Sequence, residues 1–152
     1  MSQTVADWMN CELITVKPST PIADAVKLLV DRKISGLLVI DDENKLVGTI
    51  SDSDLMWREK GPDQPPYMLF LGGIIYFQNP LTADRDLHKA LGQTVGEVMT
   101  PHAISISADL PLPEAARIMH DKKIHRLAVV DAERHPIGII TESDIVRAIA
   151  AV

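Results

Sequence analysis

The sequence predicts an α+β protein made of two β-α-β-β-α repeats that pack sheet to sheet with pseudo-twofold symmetry. The first observation is an internal repeat, since residues 48–55 read GTISDSDL and residues 138–145 read GIITESDI. The second is a helix-period apolar pattern that stands between strand-like runs in both copies. The third is that a three-stranded sheet covered by helices on one side leaves an apolar face, which the same face of the other copy can bury.

The repeat divides the chain into three parts. We expect the first repeat at residues 4–62 and the second at residues 94–152, because matching positions recur throughout these ranges without a gap. The insert, residues 63–93, has no counterpart. Its apolar run, YMLFLGGIIYF, is interrupted by Gly72-Gly73, which disfavours one continuous helix.

Each repeat is expected to open with a short helix and a short strand. Thr4 and Thr94 stand where a side-chain oxygen can cap the segments VADWM and VGEVM. The runs LITV at 13–16 and AISI at 103–106 follow and predict the first strand of each sheet.

The long helix of each repeat is predicted by an apolar stripe at positions i, i+3, i+4 and i+7. In the first repeat we expect Thr20 to be the N-cap and Pro21 the first helical residue, where a missing N–H has no consequence. The stripe residues are Ile22, Ala25, Val26 and Leu29, matched by Leu112, Ala115, Ala116 and Met119.

Two strands and a final helix complete each repeat. A polar turn joins LLVID to LVGTI, and another joins LAVVD to IGII. The final helix is expected to begin after Ser51 in the first repeat and after Thr141 in the second.

This order of elements, the strands ISGLLVID and IHRLAVVD, and the turn G-h-h-[ST]-x-x-D (h is apolar) resemble the cystathionine-β-synthase (CBS) domain. Two copies in tandem resemble a CBS pair, and the resemblance covers nearly the whole chain apart from the insert. It implies a regulatory module that binds AMP, ADP, ATP or a related adenosyl compound in the cleft between the repeats. Such a module signals through its conformation or oligomeric state and needs no obligatory cofactor.

The end of the third strand has two interpretations in each repeat. Asp54 and Asp144 follow Ser51 and Thr141 at the spacing of a capping box, in which the carboxylate reaches back to the N-cap backbone. The same corner presents N–H groups to an anion, and an ionised carboxylate can accept both hydroxyl hydrogens of a ribose diol. The resemblance to CBS domains favours ribose and phosphate binding at these four residues.

A nucleotide phosphate needs cations, and the two repeats differ in them. The second repeat offers Lys123, His125 and Arg126, whereas the first has Ser35-Gly36 at the places of His125-Arg126. We therefore expect two unequal sites and leave open which one is occupied. An exposed polar strand start is the alternative interpretation of His125-Arg126. The adenine is expected among apolar residues that are also ordinary core positions: Ile14, Val16, Ile34, Ile104, Ile106 and Ile124.

The aromatic insert suggests a partner surface. Its apolar run can fold back onto its own domain or lie in a homodimer interface, where aromatic residues are enriched. A membrane-surface role lacks flanking basic residues. We expect a homodimer, and a short helix from Thr82 to about Gly92.

The composition excludes several classes. One cysteine in 152 residues rules out an internal disulfide and a cysteine-based metal cluster, and agrees with a reducing cytoplasm. A net charge of −6 argues against broad nucleic-acid binding, and no apolar run is long enough to span a membrane. No H-E-x-x-H, G-x-S-x-G or P-loop pattern occurs, so we expect no catalytic residue and no metal. The favoured function is nucleotide sensing on behalf of an unknown regulated protein, and the alternative is a ligand-free homodimerisation or scaffold module.

Overall fold

The computed structural model describes residues 3–34, 36–59, 67–70, 73–76 and 93–152. The helices there are α1 (Val5–Trp8), α2 (Ile22–Asp31), α3 (Asp52–Leu55), α4 (Val95–Val98), α5 (Leu112–Lys122) and α6 (Glu142–Ala150). The strands are β1 (Thr15–Val16), β2 (Gly36–Ile40), β3 (Leu46–Ser51), β4 (Met56–Glu59), β5 (Tyr67–Phe70), β6 (Gly73–Tyr76), β7 (Thr100–Pro101), β8 (Ser105–Ser107), β9 (Arg126–Val130) and β10 (Pro136–Thr141).

The sheets have the strand order that a β-α-β-β-α repeat produces. One sheet runs β1-β2-β3-β7 and another runs β10-β9-β8. β1 pairs with β2, and β8 with β9, in parallel, because a helix connects the two strands of each pair. β9 and β10 are joined by a turn and pair antiparallel. These mixed sheets confirm the α+β fold class.

The chain forms two compact units, and neither coincides with one sequence repeat. Unit 1 comprises Met1–Ile14, Asp41–Val47 and His102–Val152, and unit 2 comprises Thr15–Ile40 and Gly48–Pro101. The opening helix of each repeat therefore belongs to the unit that the other repeat mainly builds. The predicted division of the chain into residues 4–62, 63–93 and 94–152 stays a prediction.

In unit 1 the opening helix is held by the second repeat. Val5 is fully buried, and its N–H donates to the Leu110 carbonyl at 2.9 Å. Asn10 and Ile139 exchange two backbone hydrogen bonds of 2.8 and 3.0 Å. The core around this helix consists of Val5, Ile106, Leu112, Ala115, Met119, Leu127, Val129, Ile140 and Ala148.

Unit 2 repeats this arrangement with α4. Val95 is fully buried, and its N–H donates to the Thr20 carbonyl at 2.8 Å. The N–H of Gly96 donates to the Pro18 carbonyl at 2.9 Å. Each unit therefore contains a one-turn helix that is anchored by backbone hydrogen bonds and one buried valine.

The apolar stripes of the long helices are confirmed by burial. The buried members are Ile22, Ala25 and Leu29 in α2, and Leu112, Ala115 and Met119 in α5. The predicted cap of α2 is wrong by one residue, because Pro21 has an extended ψ of 142° and is itself the N-cap. The Thr20 hydroxyl instead accepts the Lys17 N–H at 3.0 Å, which closes the turn before the helix.

The final helix of the first repeat begins after Ser51, as predicted, and is only one turn long. α3 ends at Leu55, and the chain continues as β4, which pairs antiparallel with β5; β5 in turn pairs with β6. Gly61-Pro62 would stop a longer helix, and the insert supplies a strand partner instead. The prediction that the apolar run is not one continuous helix is confirmed, since Tyr67–Phe70 and Gly73–Tyr76 are strands. The helix expected at 82–92 lies outside the described residues.

Candidate functional site

The corner of unit 1 where β10 meets α6 holds one pair of the predicted ribose residues. Thr141 is the last residue of β10 and the N-cap of α6, and it pairs across the sheet with Arg126 at the start of β9. Asp144, in the first turn of α6, is 5% exposed and is the one buried charged residue in the part of the chain described. A buried carboxylate at a sheet edge needs hydrogen-bond donors, because desolvation penalises an unsatisfied charge.

The donors to Asp144 come from two residues. Its Oδ2 accepts the Thr141 N–H at 2.8 Å and the Thr141 hydroxyl at 3.0 Å, while Thr141 Oγ1 accepts the Asp144 N–H at 3.3 Å. Its Oδ1 accepts from Nη2 of Arg147. The capping interpretation of this motif is therefore confirmed, and the hydrogen bonds of the cap are accepted by Oδ2.

In the corresponding corner of unit 2 the carboxylate has the same contacts with the residue before the helix. Oδ2 of Asp54 accepts the Ser51 N–H at 2.9 Å and the Ser51 hydroxyl at 3.1 Å. Its Oδ1 accepts the hydroxyl of Thr100 at 2.7 Å. Both corners thus place one carboxylate oxygen in the cap and turn the other towards a donor side chain.

Two residues of these corners were missed by the sequence analysis. Arg147 lies three positions after Asp144 on a helix, so the i, i+3 rule could have found it. Thr100 is 46 residues from Asp54 and reaches it through the pairing of β7 with β3, so no local pattern could have found it. In both cases the missed side chain binds Oδ1, the oxygen that the cap leaves over.

This geometry limits how a ribose could bind. A carboxylate offers about four acceptor positions, and the cap takes two of them on Oδ2. A vicinal diol would have to share or replace the donor at Oδ1. The role of the four residues in ribose binding stays a prediction, whereas their role in helix capping is observed.

The predicted phosphate residues lie at or near the unit-1 corner. His125 directly precedes β9, its carbonyl accepts the Glu142 N–H at 3.0 Å, and its Nδ1 lies 3.1 Å from Glu142 Oε2. Arg126 is half-buried opposite Thr141. Lys123 is exposed and caps the end of α5 in the left-handed conformation, with φ of 57°. The Glu142 carboxylate thus already lies beside the His125 ring, and phosphate binding by the three residues stays a prediction.

The six predicted adenine residues do not share one environment. Val16 and Ile106 are buried core residues, Ile14, Ile34 and Ile124 are half-buried, and Ile104 is 39% exposed. Val16 and Ile34 belong to unit 2 and the other four to unit 1. Burial agrees with a core role for two of them, and adenine contact stays a prediction for all six.

A second polar cluster in unit 1 is structural and joins two hairpin turns. The Leu46 N–H donates to the Arg134 carbonyl at 3.0 Å, and Arg134 Nη2 donates to the Leu46 carbonyl at 3.2 Å. The backbone N–H of His135 donates to Asp131 at 2.8 Å and is the main reason that the pKa of Asp131 lies below its ordinary value. The backbone N–H of Lys45 lowers the pKa of Asp41 in the same way.

Among the residues that the structure describes, no group of three His, Cys, Asp or Glu side chains could hold a metal ion. None of the helices in the described segments is both long and apolar enough to cross a membrane.

The family comparison identifies both repeats. The model of the CBS domain family matches residues 5–60 and 95–151. The chain is similar to the chloroplastic CBS domain-containing protein CBSX2 of Arabidopsis thaliana, with 39% identity over 149 residues. The match covers 95% of this chain and 63% of that protein, so the chain spans less than two thirds of the relative's length.

Solved structures agree with the sequence match. A crystal structure of CBSX2 in complex with AMP has a TM-score of 0.71 at 36% identity and covers 97% of this chain and 96% of that one. The CBS domain pair of protein MJ0100, in complex with 5′-methylthioadenosine and S-adenosyl-L-methionine, has a TM-score of 0.72 at 25% identity and covers 99% and 98%. The chain belongs to the CBS domain family, and its two repeats form a tandem CBS pair.

Proposed function

We propose that this CBS pair is a regulatory module that binds an adenosine nucleotide at the strand-to-helix corner of a repeat. The observation that carries the proposal is Oδ1 of Asp144, a fixed acceptor that the helix cap does not use. The ligands in the two similar complexes, AMP, 5′-methylthioadenosine and S-adenosylmethionine, share adenosine and therefore a ribose diol. A diol supplies two hydroxyl hydrogens, and a carboxylate can accept both.

The cap itself supports this role. Thr141 fixes the Asp144 carboxylate with two hydrogen bonds to one oxygen, so the other oxygen has a defined direction before a ligand arrives. Preorganisation of this kind lowers the entropy that binding loses. Capping and ribose binding are then two consequences of one rotamer.

Calorimetric titration with AMP, ATP and S-adenosylmethionine tests the proposal. The Asp144→Ala variant should bind the preferred ligand at least about tenfold more weakly, because hydrogen bonds to a charged group are lost. Asp7→Ala is the matched control, since Asp7 makes the same capping contacts with Thr4, at 2.9 and 3.2 Å, on α1. Both variants should melt at a lower temperature, and only Asp144→Ala should lose affinity.

Three results would reject the proposal. The first is that no adenosyl ligand binds the unsubstituted chain. The second is that Asp144→Ala retains full affinity while its stability falls, which would leave capping as the only role of the motif. The third is that Asp7→Ala weakens binding as much as Asp144→Ala.

We further propose that the module acts as a homodimer and transmits binding to a separate regulated protein, without catalysing a reaction itself. α6 supports the dimer, because Val146 and Ile149 lie one turn apart on it and are 63% and 69% exposed. Analytical ultracentrifugation of Val146→Glu and Ile149→Glu, with and without AMP, tests this. Unchanged sedimentation of a monomer in every case would exclude the dimer and weaken the scaffold alternative with it.

We also propose a cytoplasmic location. The single, exposed Cys11 is compatible with a reducing compartment. The plant relative is named chloroplastic, so location does not follow from the family. Fractionation of the source cells with an antibody to the chain would decide it.

A further inference from the structure

The two corners differ in the group that binds the uncapped carboxylate oxygen. Oδ1 of Asp144 accepts from the guanidinium of Arg147, whereas Oδ1 of Asp54 accepts from the neutral hydroxyl of Thr100. The residue that matches Arg147 in the first repeat is Trp57, so the repeat pattern does not require an arginine here. Among the contacts that the structure describes, a charged donor therefore binds Oδ1 at the unit-1 corner and a neutral donor at the unit-2 corner.

We propose that Arg147 determines the ligand class of the unit-1 corner and selects adenosine ligands that carry a phosphate. In the structure Arg147 binds Oδ1 of Asp144. When a ribose diol takes that oxygen, the guanidinium turns to the phosphate of the same ligand. This inference rests on the proposed function, because it assumes that the corner binds ribose. It assigns a specificity-determining residue that the capping motif does not contain.

The exposure of the two partners supports an exchange of this kind. The Asp144 side chain is 7% exposed and is fixed by Thr141, whereas the Arg147 side chain is 67% exposed. The carboxylate therefore stays in place while the guanidinium can move. A ribose hydroxyl that takes Oδ1 keeps the buried carboxylate hydrogen-bonded when the guanidinium leaves, so the exchange leaves no buried charge unsatisfied.

The guanidinium is suited to a phosphate once it leaves the carboxylate. It carries five N–H donors, and one on Nη2 binds Asp144. Its planar fork can donate two parallel hydrogen bonds to two phosphate oxygens. A lysine would offer only a point charge at this place.

The surrounding charges at this corner favour an anion, with one exception. His125 and Arg126 adjoin Thr141 through the start of β9. Glu142 opposes them and lies 3.1 Å from the His125 ring. In the first repeat Ser35-Gly36 replace His125-Arg126, although Lys33 retains the cation of Lys123. At these matched positions the second repeat has two further basic residues, His125 and Arg126, so the unit-1 corner is the one expected to hold the phosphate.

The test compares AMP with adenosine, which lacks the phosphate, in the Arg147→Gln variant. The Asp54→Asn substitution is present throughout, so that calorimetry reports the unit-1 corner. Arg147→Gln should weaken AMP binding about tenfold, the scale of a lost charge-assisted hydrogen bond. It should leave adenosine affinity unchanged or increase it, because Oδ1 of Asp144 no longer has a competing cation.

Arg117→Gln is the matched control. Arg117 is also an exposed arginine in an i, i+3 pair, with Glu114 on α5 at 2.6 Å, and it should change neither affinity. If Asp54→Asn does not fold, amide NMR shifts of Thr141 and Asp144 in the chain without that substitution report the same corner. These shifts should then follow AMP and adenosine separately.

The outcomes distinguish a failure of the inference about Arg147 from a failure of the proposed function. If Arg147→Gln weakens AMP and adenosine by the same factor, or weakens neither, the inference about Arg147 is wrong and the proposed function stands. If neither ligand binds the unsubstituted chain, both are wrong. Weaker AMP binding with unchanged or tighter adenosine binding, and no effect of Arg117→Gln, supports the role of Arg147; a larger loss for adenosine than for AMP overturns it.

Discussion

Substituting the glycine of the repeated motif tests how closely the segments that follow α4 and α1 approach β3 and β10, respectively. At Gly48 an added Cβ would lie 2.7 Å from the Thr100 carbonyl oxygen and 2.9 Å from Met99 Sδ. β7 pairs with β3 at this point, so the carbonyl cannot move without breaking the pairing. Overpacking against backbone costs about 2–3 kcal/mol, reduced by about 0.5–1 kcal/mol because alanine suits a strand better than glycine.

The second copy of the motif provides an internal comparison. At Gly138 the added Cβ would lie 2.5 Å from Met9 Sδ but 3.3 Å from the Asn10 carbonyl oxygen. A methionine side chain is flexible and can turn away, so Gly138→Ala should cost about 1 kcal/mol or less. We therefore expect Gly48→Ala to lower the free energy of unfolding by about 2 kcal/mol and Gly138→Ala by clearly less.

Urea unfolding at 25 °C measures both substitutions, and double variants identify the clashing atom. Met9→Ala should remove the destabilisation that Gly138→Ala causes, giving a coupling free energy of about 1 kcal/mol. Met99→Ala should relieve Gly48→Ala only in part, because the Thr100 carbonyl remains. The reasoning is refuted if Gly48→Ala is no more destabilising than Gly138→Ala, or if Met99→Ala restores its full stability.

Three further predictions concern stability. The pKa of Asp131 in the folded state lies below its ordinary 3.8, so the stability it contributes is complete above that pH and is lost as the pH falls through the lowered value. Asp131→Asn should therefore make the free energy of unfolding less dependent on pH below about pH 4. An unchanged pH dependence would count against the turn contacts. Thr141→Val should cost about 1 kcal/mol by thermal melting through loss of the N-cap oxygen, and no change would mean that water replaces it. Val5→Ala and Val95→Ala should each cost about 2–3 kcal/mol in urea, since both valines are fully buried; a neutral result for either would show that its helix does not anchor the unit.

The elements that the sequence predicted well depend on local periodicity. The stripe Ile22, Ala25 and Leu29 becomes the buried face of α2, because helical spacing alone places those side chains on one side. The Ser51/Asp54 and Thr141/Asp144 caps were predicted for the same reason, since a capping box joins atoms three residues apart.

The features that the sequence did not predict depend on contacts distant in the chain. α1 lies in the unit built mainly by the second repeat because Val5 bonds to Leu110, and no pattern within residues 4–62 encodes that choice. The one-turn length of α3 follows from a strand partner that the insert supplies. The hydrogen bond from Thr100 to Asp54 spans 46 residues and exists only because β7 joins β3.

A crystal structure of the chain with AMP would test the central claim most directly. We expect the ribose 2′- and 3′-hydroxyls within about 3 Å of Oδ1 of Asp144 or of Asp54, with Oδ2 still bound to the N-cap backbone. Density for AMP elsewhere, with Arg147 and Thr100 still bound to the two Oδ1 atoms as described above, would contradict the account.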